Sequence, residues 1–286
     1  MTTLKRELKG LPVTDHHVHL RPSGRGVEAV QEFARAGGTC ILLVHVPYED
    51  LPARAPQDFE ASYGRTLRMA ERVRALGVVE VLVALGPHPA ELVPLSDRFG
   101  LEQGTDVMRT ALEIAHAHVL EGEANAIGEI GRPHWPVEED FWSRSNELMA
   151  YGIELARDAG CPVILHTEAP SERLFEDLAA AADRVDLARG RVVKHYADAS
   201  VLLAENLGIF PSVIARGGRV REAASKGTRF LMETDYLDDP RRPGAVLGPT
   251  TIPKRTAALL REEHITRDDV RRIHEDNIVA LYGERP

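Results

Sequence analysis

Residues 11–20, LPVTDHHVHL, form a short apolar run that carries ionisable side chains toward its carboxyl end. Along a β-strand, side chains two residues apart point to the same face, so His17 and His19 share one face of the predicted strand. Gly10 precedes the run and Arg21-Pro22 follows it, which is typical of a buried strand between turns. We therefore predict a first β-strand that presents two imidazoles side by side.

Seven further apolar runs follow, and amphipathic stretches with apolar residues at helical spacing separate them. The predicted strands lie at 39–46, 78–86, 124–131, 161–168, 191–196, 208–215 and 229–235, and predicted helices at 27–36, 59–76, 105–120, 138–159 and 172–182. Eight strands alternating with helices predict an α/β fold, a single-domain (β/α)8 TIM barrel over residues 1–286. A doubly wound sheet also alternates, but no Gly-rich dinucleotide motif follows the first strand. The Pro- and Gly-rich segment 238–253 is predicted as a loop.

The composition is that of a globular protein, with 35 Lys and Arg against 44 Asp and Glu and a formal net charge of −9. This acidity argues against an extended nucleic-acid-binding surface, which needs clustered basic side chains. No apolar run approaches the roughly 18 residues that span a bilayer. The residues before Asp15 lack the apolar stretch of a secretory signal, and Cys40 and Cys161 lie in apolar runs that predict no disulfide framework. We expect a cytoplasmic protein without membrane contact.

Ionisable residues interrupt the apolar runs at equivalent places, near the carboxyl ends of the predicted strands. Barrel active sites form where these strand ends meet. A lone histidine in such a run is usually a core residue, but six imidazoles and carboxylates buried together without an ion would leave unpaired polar atoms. Imidazoles and carboxylates are also the ligands that Zn²⁺, Mn²⁺ and similar ions prefer. The candidate ligands are His17, His19, Glu129, His166, His195 and Asp235.

Several other ionisable residues have ordinary explanations. His16 and Lys194 are each adjacent to a candidate ligand on a strand, so we expect them to face the opposite way. His264 and His274 lie in a charged C-terminal segment, and we expect both to be solvated.

In their order along the chain, the motifs resemble those of the TatD family of metal-dependent hydrolases, which are barrels of the amidohydrolase superfamily. The resemblance covers nearly the whole chain and rests on Asp15-x-His17-x-His19, Gly86-Pro87-His88-Pro89, Gly128-Glu129-Ile130-Gly131, His166, His195 and Glu233-Thr234-Asp235. It implies a nuclease-type hydrolase with two divalent ions, which would be zinc, manganese or magnesium. It further implies that His17, His19 and Asp235 hold one ion, that His166 and His195 hold the other, and that Glu129 bridges the two.

The positions around the predicted ligands depart from the family's usual pattern. Glu168 stands where the family usually has arginine, and Tyr196 stands where it usually has cysteine. Residues 131–134, Gly-Arg-Pro-His, also replace the usual continuation after Gly-Glu-Ile. The predicted substrate contacts are His88 (to a phosphate, as the resemblance implies), Arg21, His134 and Glu168, with Arg132 as a further candidate for binding an anion.

Two ions beside four neutral histidines and ionised Glu129 and Asp235 would leave the site near +2, which lowers the pKa of bound water toward about 7. We therefore predict attack by a metal-bridging hydroxide on a small or short phosphoester substrate, with Asp235 as the base. An amide, lactone or cyclic-amide hydrolase is the alternative, because Glu168 is acidic and residues 15–22 also resemble the first motif of dihydroorotases. Those enzymes usually carry a carboxylated lysine on strand four, and residues 124–131 contain no lysine. A non-catalytic metal-binding barrel is the third interpretation.

Overall fold

The computed structural model describes residues 3–239, 241 and 247–283. The strands are β1 (Thr14–His19), β2 (Cys40–Val44), β3 (Glu80–Leu85), β4 (Ala126–Gly131), β5 (Val163–His166), β6 (Val192–Lys194), β7 (Phe210–Ile214), β8 (Leu231–Glu233) and β9 (Tyr236–Leu237). They form one sheet in the order β8-β7-β6-β5-β4-β3-β2-β1-β9, with neighbouring strands parallel. Each of the eight predicted strands is present.

The sheet closes where the chain passes from β8 into β9. The short β9 follows β8 directly and pairs with β1, since Tyr236 lies opposite Val18. At the same seam, the Asp15 carboxylate accepts hydrogen bonds from the backbone N–H of Thr234 (3.0 Å) and from its hydroxyl (2.6 Å). The architecture is the predicted (β/α)8 TIM barrel.

Helices alternate with the strands. In the described part of the chain they are α1 (Thr3–Glu7), α2 (Val27–Ala36), α3 (Pro56–Arg74), α4 (Leu92–Phe99), α5 (Leu101–Leu120), α6 (Glu139–Ala159), α7 (Glu172–Arg184), α8 (Leu203–Asn206), α9 (Arg219–Lys226), α10 (Thr251–Arg261), α11 (Arg267–Arg271) and α12 (Asn277–Tyr282). Short helical turns occupy Pro89–Glu91 and Arg189–Arg191, and a π-helical turn occupies Arg272–Asp276. Among the described residues, no helix combines the length and apolarity needed to cross a bilayer. The predicted loop 238–253 is interrupted by α10, and its residues 240 and 242–246 lie outside the described residues.

Two apolar clusters hold the barrel together. Side chains that alternate along the strands pack either inside the barrel, as Leu42 and Ile164 do, or against the surrounding helices, as Leu43 does. Ile278 and Leu281 of α12 belong to the inner cluster, so this helix closes the amino-terminal end of the barrel. The carboxyl ends of the strands are left for polar side chains.

His274 is buried at this closed end, and the expectation that it is solvated is wrong. Its Nδ1 accepts a hydrogen bond from the Thr14 backbone N–H at 3.0 Å, and its Nε2 lies 3.0 Å from the Thr256 hydroxyl. Only 2% of the residue is exposed. The expectation rested on charged neighbours such as Arg272 and Glu275, but the π-helical turn directs His274 inward between β1 and α10.

Candidate metal centre

A bulge in β1 directs two consecutive histidines into the barrel. The register with β2 shifts over residues 15–18, and His16 and His17 both contact groups inside the barrel. His16 Nε2 lies 2.8 Å from the Tyr282 hydroxyl, and the His17 ring stacks on His195 with 4.0 Å between centroids. The expectation that His16 faces away from His17 is wrong, since a bulge interrupts the alternation of a regular strand.

A second irregularity, in β4, places Glu129. The register with β5 shifts over residues 127–130, and the flanking Gly128 and Gly131 have φ angles of 151° and 149°, which L side chains rarely adopt. A Cβ atom added to Gly131 would lie 1.9 Å from the His166 carbonyl oxygen. The glycines therefore allow β4 to approach β5 closely enough to bring Glu129 beside His166.

The Glu129 carboxylate lies at the centre of the histidines and is 4% exposed. Its Oε1 is 3.6 Å from His17 Nε2 and 3.5 Å from His19 Nε2. Its Oε2 is 2.9 Å from His166 Nδ1 and 3.9 Å from His195 Nε2. The two oxygens of one carboxylate thus face two different pairs of imidazoles, which is the arrangement that a ligand bridging two ions requires.

Asp235 completes the predicted ligand set. It follows β8 and has a φ angle of 52°, in the left-handed region that few residues other than glycine adopt. Its Oδ1 lies 3.5 Å from His19 Nε2, and donor atoms of Asp235, His17 and His195 all lie within 4.8 Å of one another. The structure therefore brings all six predicted ligands together at the carboxyl ends of the strands.

His88 lies beside these groups as well. Its Nε2 is 3.9 Å from Glu129 Oε1, and its ring centroid is 4.6 Å from that of His166. Its Nδ1 accepts a hydrogen bond from the Ala90 backbone N–H at 3.1 Å. Because Nδ1 is an acceptor, the neutral ring carries its proton on Nε2, and His88 presents a hydrogen-bond donor to the site.

The donor set fits divalent cations. His17 Nε2 and His19 Nε2 face each other at 3.2 Å, where only one of the two nitrogens can donate to the other. Buried lone pairs that converge without enough donors are costly, and a cation between them removes that cost. Neutral nitrogens combined with carboxylate oxygens are the ligands that zinc and manganese take in proteins.

Burial and nearby charges set the protonation states in the site. Burial lowers the pKa of His88 to about 3 and also lowers the pKa of His17. Burial on its own would raise the pKa of Glu129, but the charges of the surrounding histidines hold it well below its usual range. Burial also opposes ionisation of Asp235, yet its hydrogen bond with His19 lowers the pKa to about 2. The site therefore holds ionised carboxylates among histidines of which at least two are neutral near pH 7.

Glu233, which the sequence analysis did not assign, holds His195 in place. Its Oε1 is 2.9 Å from His195 Nδ1 and accepts the Tyr196 backbone N–H at 2.9 Å, and its Oε2 accepts the Ser212 hydroxyl at 2.5 Å. Burial would lower the pKa of His195, but the Glu233 charge raises it to about 9. A carboxylate behind a metal-binding imidazole fixes its tautomer and orientation. The sequence does contain a sign of this role, because Glu233 is an ionisable residue at the end of an apolar strand, two residues before Asp235.

A cleft of about 410 Å³ opens beside these groups and is lined by His134, His166, Thr167, Glu168, Ala169, Lys194, His195, Tyr196 and Asp235. Lys194 corrects an expectation, because it lines the same cleft as His195. Val193 faces the barrel interior, so the Lys194 side chain starts on the opposite face of β6. Its Nζ then turns back and donates to the His195 carbonyl oxygen.

Two of the predicted substrate contacts have partners within the protein. The Glu168 carboxylate lines the cleft, but the Arg132 guanidinium binds both of its oxygens, at 2.9 and 2.5 Å. Arg132 is 3% exposed and also donates to Asn146, so it is not the anion contact that the sequence suggested. His134 is exposed at the rim of the cleft, where its Nδ1 lies 2.9 Å from His166 Nε2.

Arg21 lies apart from the cleft. It lines a second cavity together with Arg65 of α3 and residues of the loops that follow β1, β2 and β9, and the two cavities share no lining residue. The structure therefore places Arg21 in a different cavity from His134 and Glu168, two of the other predicted substrate contacts.

A (β/α)8 barrel with imidazoles and carboxylates gathered at the carboxyl ends of its strands belongs to the class of metal-dependent hydrolase barrels. Residues 14–283 match the sequence profile of the family described as TatD related DNase. The chain is a member of this TatD family.

Similar proteins agree with this assignment. Protein MJ1127 of Methanocaldococcus jannaschii, itself uncharacterised, is 39% identical over 279 residues, which is 96% of this chain and 97% of the relative. The crystal structure of YJJV, a TatD homologue from Escherichia coli K12, is similar with a TM-score of 0.64 and 23% identity, over 95% of this chain and 98% of that one. The TatD-like protein AF1765 from Archaeoglobus fulgidus has a TM-score of 0.63 and 19% identity, over 95% and 100%. The two structures share the fold of this chain.

Proposed function

We propose that the protein is a dinuclear metal-dependent phosphodiesterase that acts on small or short phosphoester substrates. The observation that supports this most strongly is the position of Glu129, whose two oxygens face His17 and His19 on one side and His166 and His195 on the other. In this proposal the first pair, with Asp235, would hold one ion, the second pair would hold the other, and Glu129 would serve both.

Divalent ions held there would lower the pKa of water and stabilise negative charge on phosphoryl oxygens. The residues of the chain supply the remaining parts of the mechanism. Asp235, ionised and at the wall of the cleft, accepts the proton of the attacking water at a carboxylate oxygen, and this proton passes to the alkoxide released when the ester P–O bond breaks. His88 donates from Nε2 to a phosphoryl oxygen, since its Nδ1 is occupied by the Ala90 N–H. Glu233 keeps the His195 ring oriented during turnover.

The charge around the cleft favours a short substrate. Lys194 is the one lysine or arginine among the described residues that line the cleft, and the Glu168 carboxylate there is paired with Arg132. Long nucleic acids need a series of basic contacts, which a lining of this kind does not supply. We extend the proposal to a cytoplasmic location, which the buried thiols of Cys40 and Cys161 support.

Metal analysis combined with a substrate panel tests the proposal. We expect about two equivalents of zinc, manganese or magnesium in the purified protein, and hydrolysis of bis-p-nitrophenyl phosphate that a chelator abolishes and added metal restores. Asp235→Asn should remove this hydrolysis, whereas Arg72→Gln, a change at an exposed residue of α3, should not. Only trace metal in the protein would contradict the proposal.

The same panel decides between the alternatives. Hydrolysis of lactones or N-acyl amides without hydrolysis of the diester would establish the amide or lactone hydrolase. Bound metal without turnover of any substrate in the panel would favour the non-catalytic barrel. The pairing of Glu168 with Arg132 removes one of the two reasons for the amide interpretation, because that carboxylate is not free to contact a substrate.

A further inference from the structure

The second cavity has a volume of about 630 Å³ and is bounded by loops at the same end of the barrel as the metal centre. It is lined by Arg21, Pro22, Ser23, Tyr48, Glu49, Asp50, Arg65, Asp239 and Arg241. We refer to it as the Arg21 cavity. Three guanidinium groups and three carboxylates contribute to its wall, so their pairing decides which charge is available to a ligand.

Two of the guanidiniums form ion pairs with all three carboxylates, which leaves these five groups one negative charge that the Arg21 guanidinium balances. Arg241 binds both oxygens of Glu49, and its Nη2 lies 2.9 Å from Asp239 Oδ2. Arg65 Nη1 donates to Asp50 Oδ1 at 2.7 Å. Each acidic side chain of the Arg21 cavity is therefore already engaged.

The third guanidinium, that of Arg21, has no such partner. Within the described residues no carboxylate lies within 4.0 Å of it, and its Nε is enclosed without an acceptor. Residues 240 and 242–246, which lie outside the described part of the chain, include no acidic residue. A buried N–H without an acceptor is costly, and oxyanions match the planar fork of a guanidinium.

The loop that carries Arg21 is fixed to the strands of the metal centre. Arg21 follows His19 by two residues, and the backbone N–H of Asp238 donates to the His19 carbonyl oxygen at 3.1 Å. The Asp238 carboxylate then accepts the backbone N–H groups of Arg25 at 2.8 Å and Gly26 at 2.7 Å. A Cβ atom added to Gly24 would lie 2.4 Å from Asp238 Cγ, so the loop packs closely on this carboxylate. The position of Arg21 relative to His19 is thereby set.

We propose that the Arg21 cavity is a subsite for a second oxyanion of the substrate, a phosphate or carboxylate remote from the bond that is cleaved, and that the Arg21 guanidinium binds it. This inference rests on the proposed function, since it takes the metal centre as the place of reaction. It defines the substrate class as molecules with two anionic groups, one at the metal centre and one in the Arg21 cavity.

Calorimetric titration tests the subsite directly. Inorganic phosphate and, separately, acetate are titrated into the full-length protein, both metal-loaded and chelator-treated, and into Arg21→Gln and the exposed control Arg72→Gln. Chelator-treated wild type and Arg72→Gln should bind an anion with equal affinity, and Arg21→Gln should bind it at least about 10-fold more weakly. The anion that binds more tightly identifies the group. Equal affinity in Arg21→Gln and wild type, or no binding to wild type, would overturn the inference.

Measurements of turnover distinguish a failure of the Arg21 subsite from a failure of the proposed phosphodiesterase activity. The ratio of kcat/KM for a dinucleotide with a terminal phosphate to that for the same dinucleotide without it should exceed one in wild type and Arg72→Gln, and should fall toward one in Arg21→Gln. If phosphate binds at Arg21 but no diester is hydrolysed, the proposed function fails and the anion site remains. If diesters are hydrolysed and Arg21→Gln binds phosphate as wild type does, the proposed subsite is wrong and the proposed function stands.

Discussion

Histidines lie at both ends of the barrel, and their partners differ. At the closed end, both ring nitrogens of His274 meet the N–H or hydroxyl of a threonine, and His16 meets the Tyr282 hydroxyl. At the open end, His17 and His19 face each other and the Glu129 carboxylate. Histidine therefore links structural elements where hydrogen-bonding partners surround it. Where the lone pairs of several histidines converge, the same type of side chain is positioned to bind a cation.

Replacing the carboxylate that distinguishes the open end has the largest expected effect. Glu129→Gln keeps the shape of the side chain but removes its charge, so kcat/KM should fall by about 10³-fold or more. Bound metal, measured by mass spectrometry, should fall below two equivalents. Glu71→Gln is the control, because it makes the same chemical change at an exposed residue of α3 and should leave both activity and metal content unchanged. Two equivalents of bound metal in Glu129→Gln would contradict the role of Glu129 as a metal ligand, and with it the contrast between the two ends of the barrel.

At the closed end, protonation of His274 at low pH should lower the free energy of unfolding. Burial lowers the pKa of His274 to about 4, whereas the unfolded chain titrates near its usual value of about 6.5. The neutral ring is thus favoured by folding, and its contribution is complete above about pH 6.5 and is lost as the pH falls toward 4, by up to about 3 kcal/mol. Urea unfolding between pH 7.5 and 4 measures this loss. His274→Gln should flatten that part of the curve, and an unchanged slope would contradict the assignment.

The carboxylate behind His195 should have an intermediate effect. Glu233→Gln removes the charge that orients the ring, and metal affinity should fall by about 10–100-fold. Competition with a chelator gives the affinity. Ser212→Ala, which removes only the hydroxyl that donates to Glu233, should weaken metal binding less. An equal loss in both variants would indicate general damage to the strand rather than orientation of His195.

The smallest effect is expected at the rim of the cleft. His134 is exposed and contacts only the edge of the ligand set through His166. His134→Ala should therefore raise KM by about 3–10-fold, the contribution of one ordinary hydrogen bond, with no loss of bound metal. A loss of metal in this variant would place His134 inside the centre and extend the open-end cluster.

The fold and the convergence of the six predicted ligands follow from periodicity, because residues at the carboxyl ends of parallel strands meet whatever the details of packing. The errors have a common physical origin. His16 and Lys194 were misplaced because alternation assumes a regular strand and a side chain that stays on its own face. His274 and the pairing of Arg132 with Glu168 depend on contacts between residues distant in sequence, and local pattern contains no information on these.

The helix α12 that closes the barrel has a consequence for the order of folding. Its residues follow all nine strands in the chain, so during synthesis they emerge from the ribosome after every strand has been made. Until then, the inner cluster lacks Ile278 and Leu281, and His16 lacks the Tyr282 hydroxyl. The neighbouring residue of His16 is His17, a predicted metal ligand. A nascent chain that stops before residue 277 would therefore contain every predicted ligand but would lack the helix that closes the barrel beneath them.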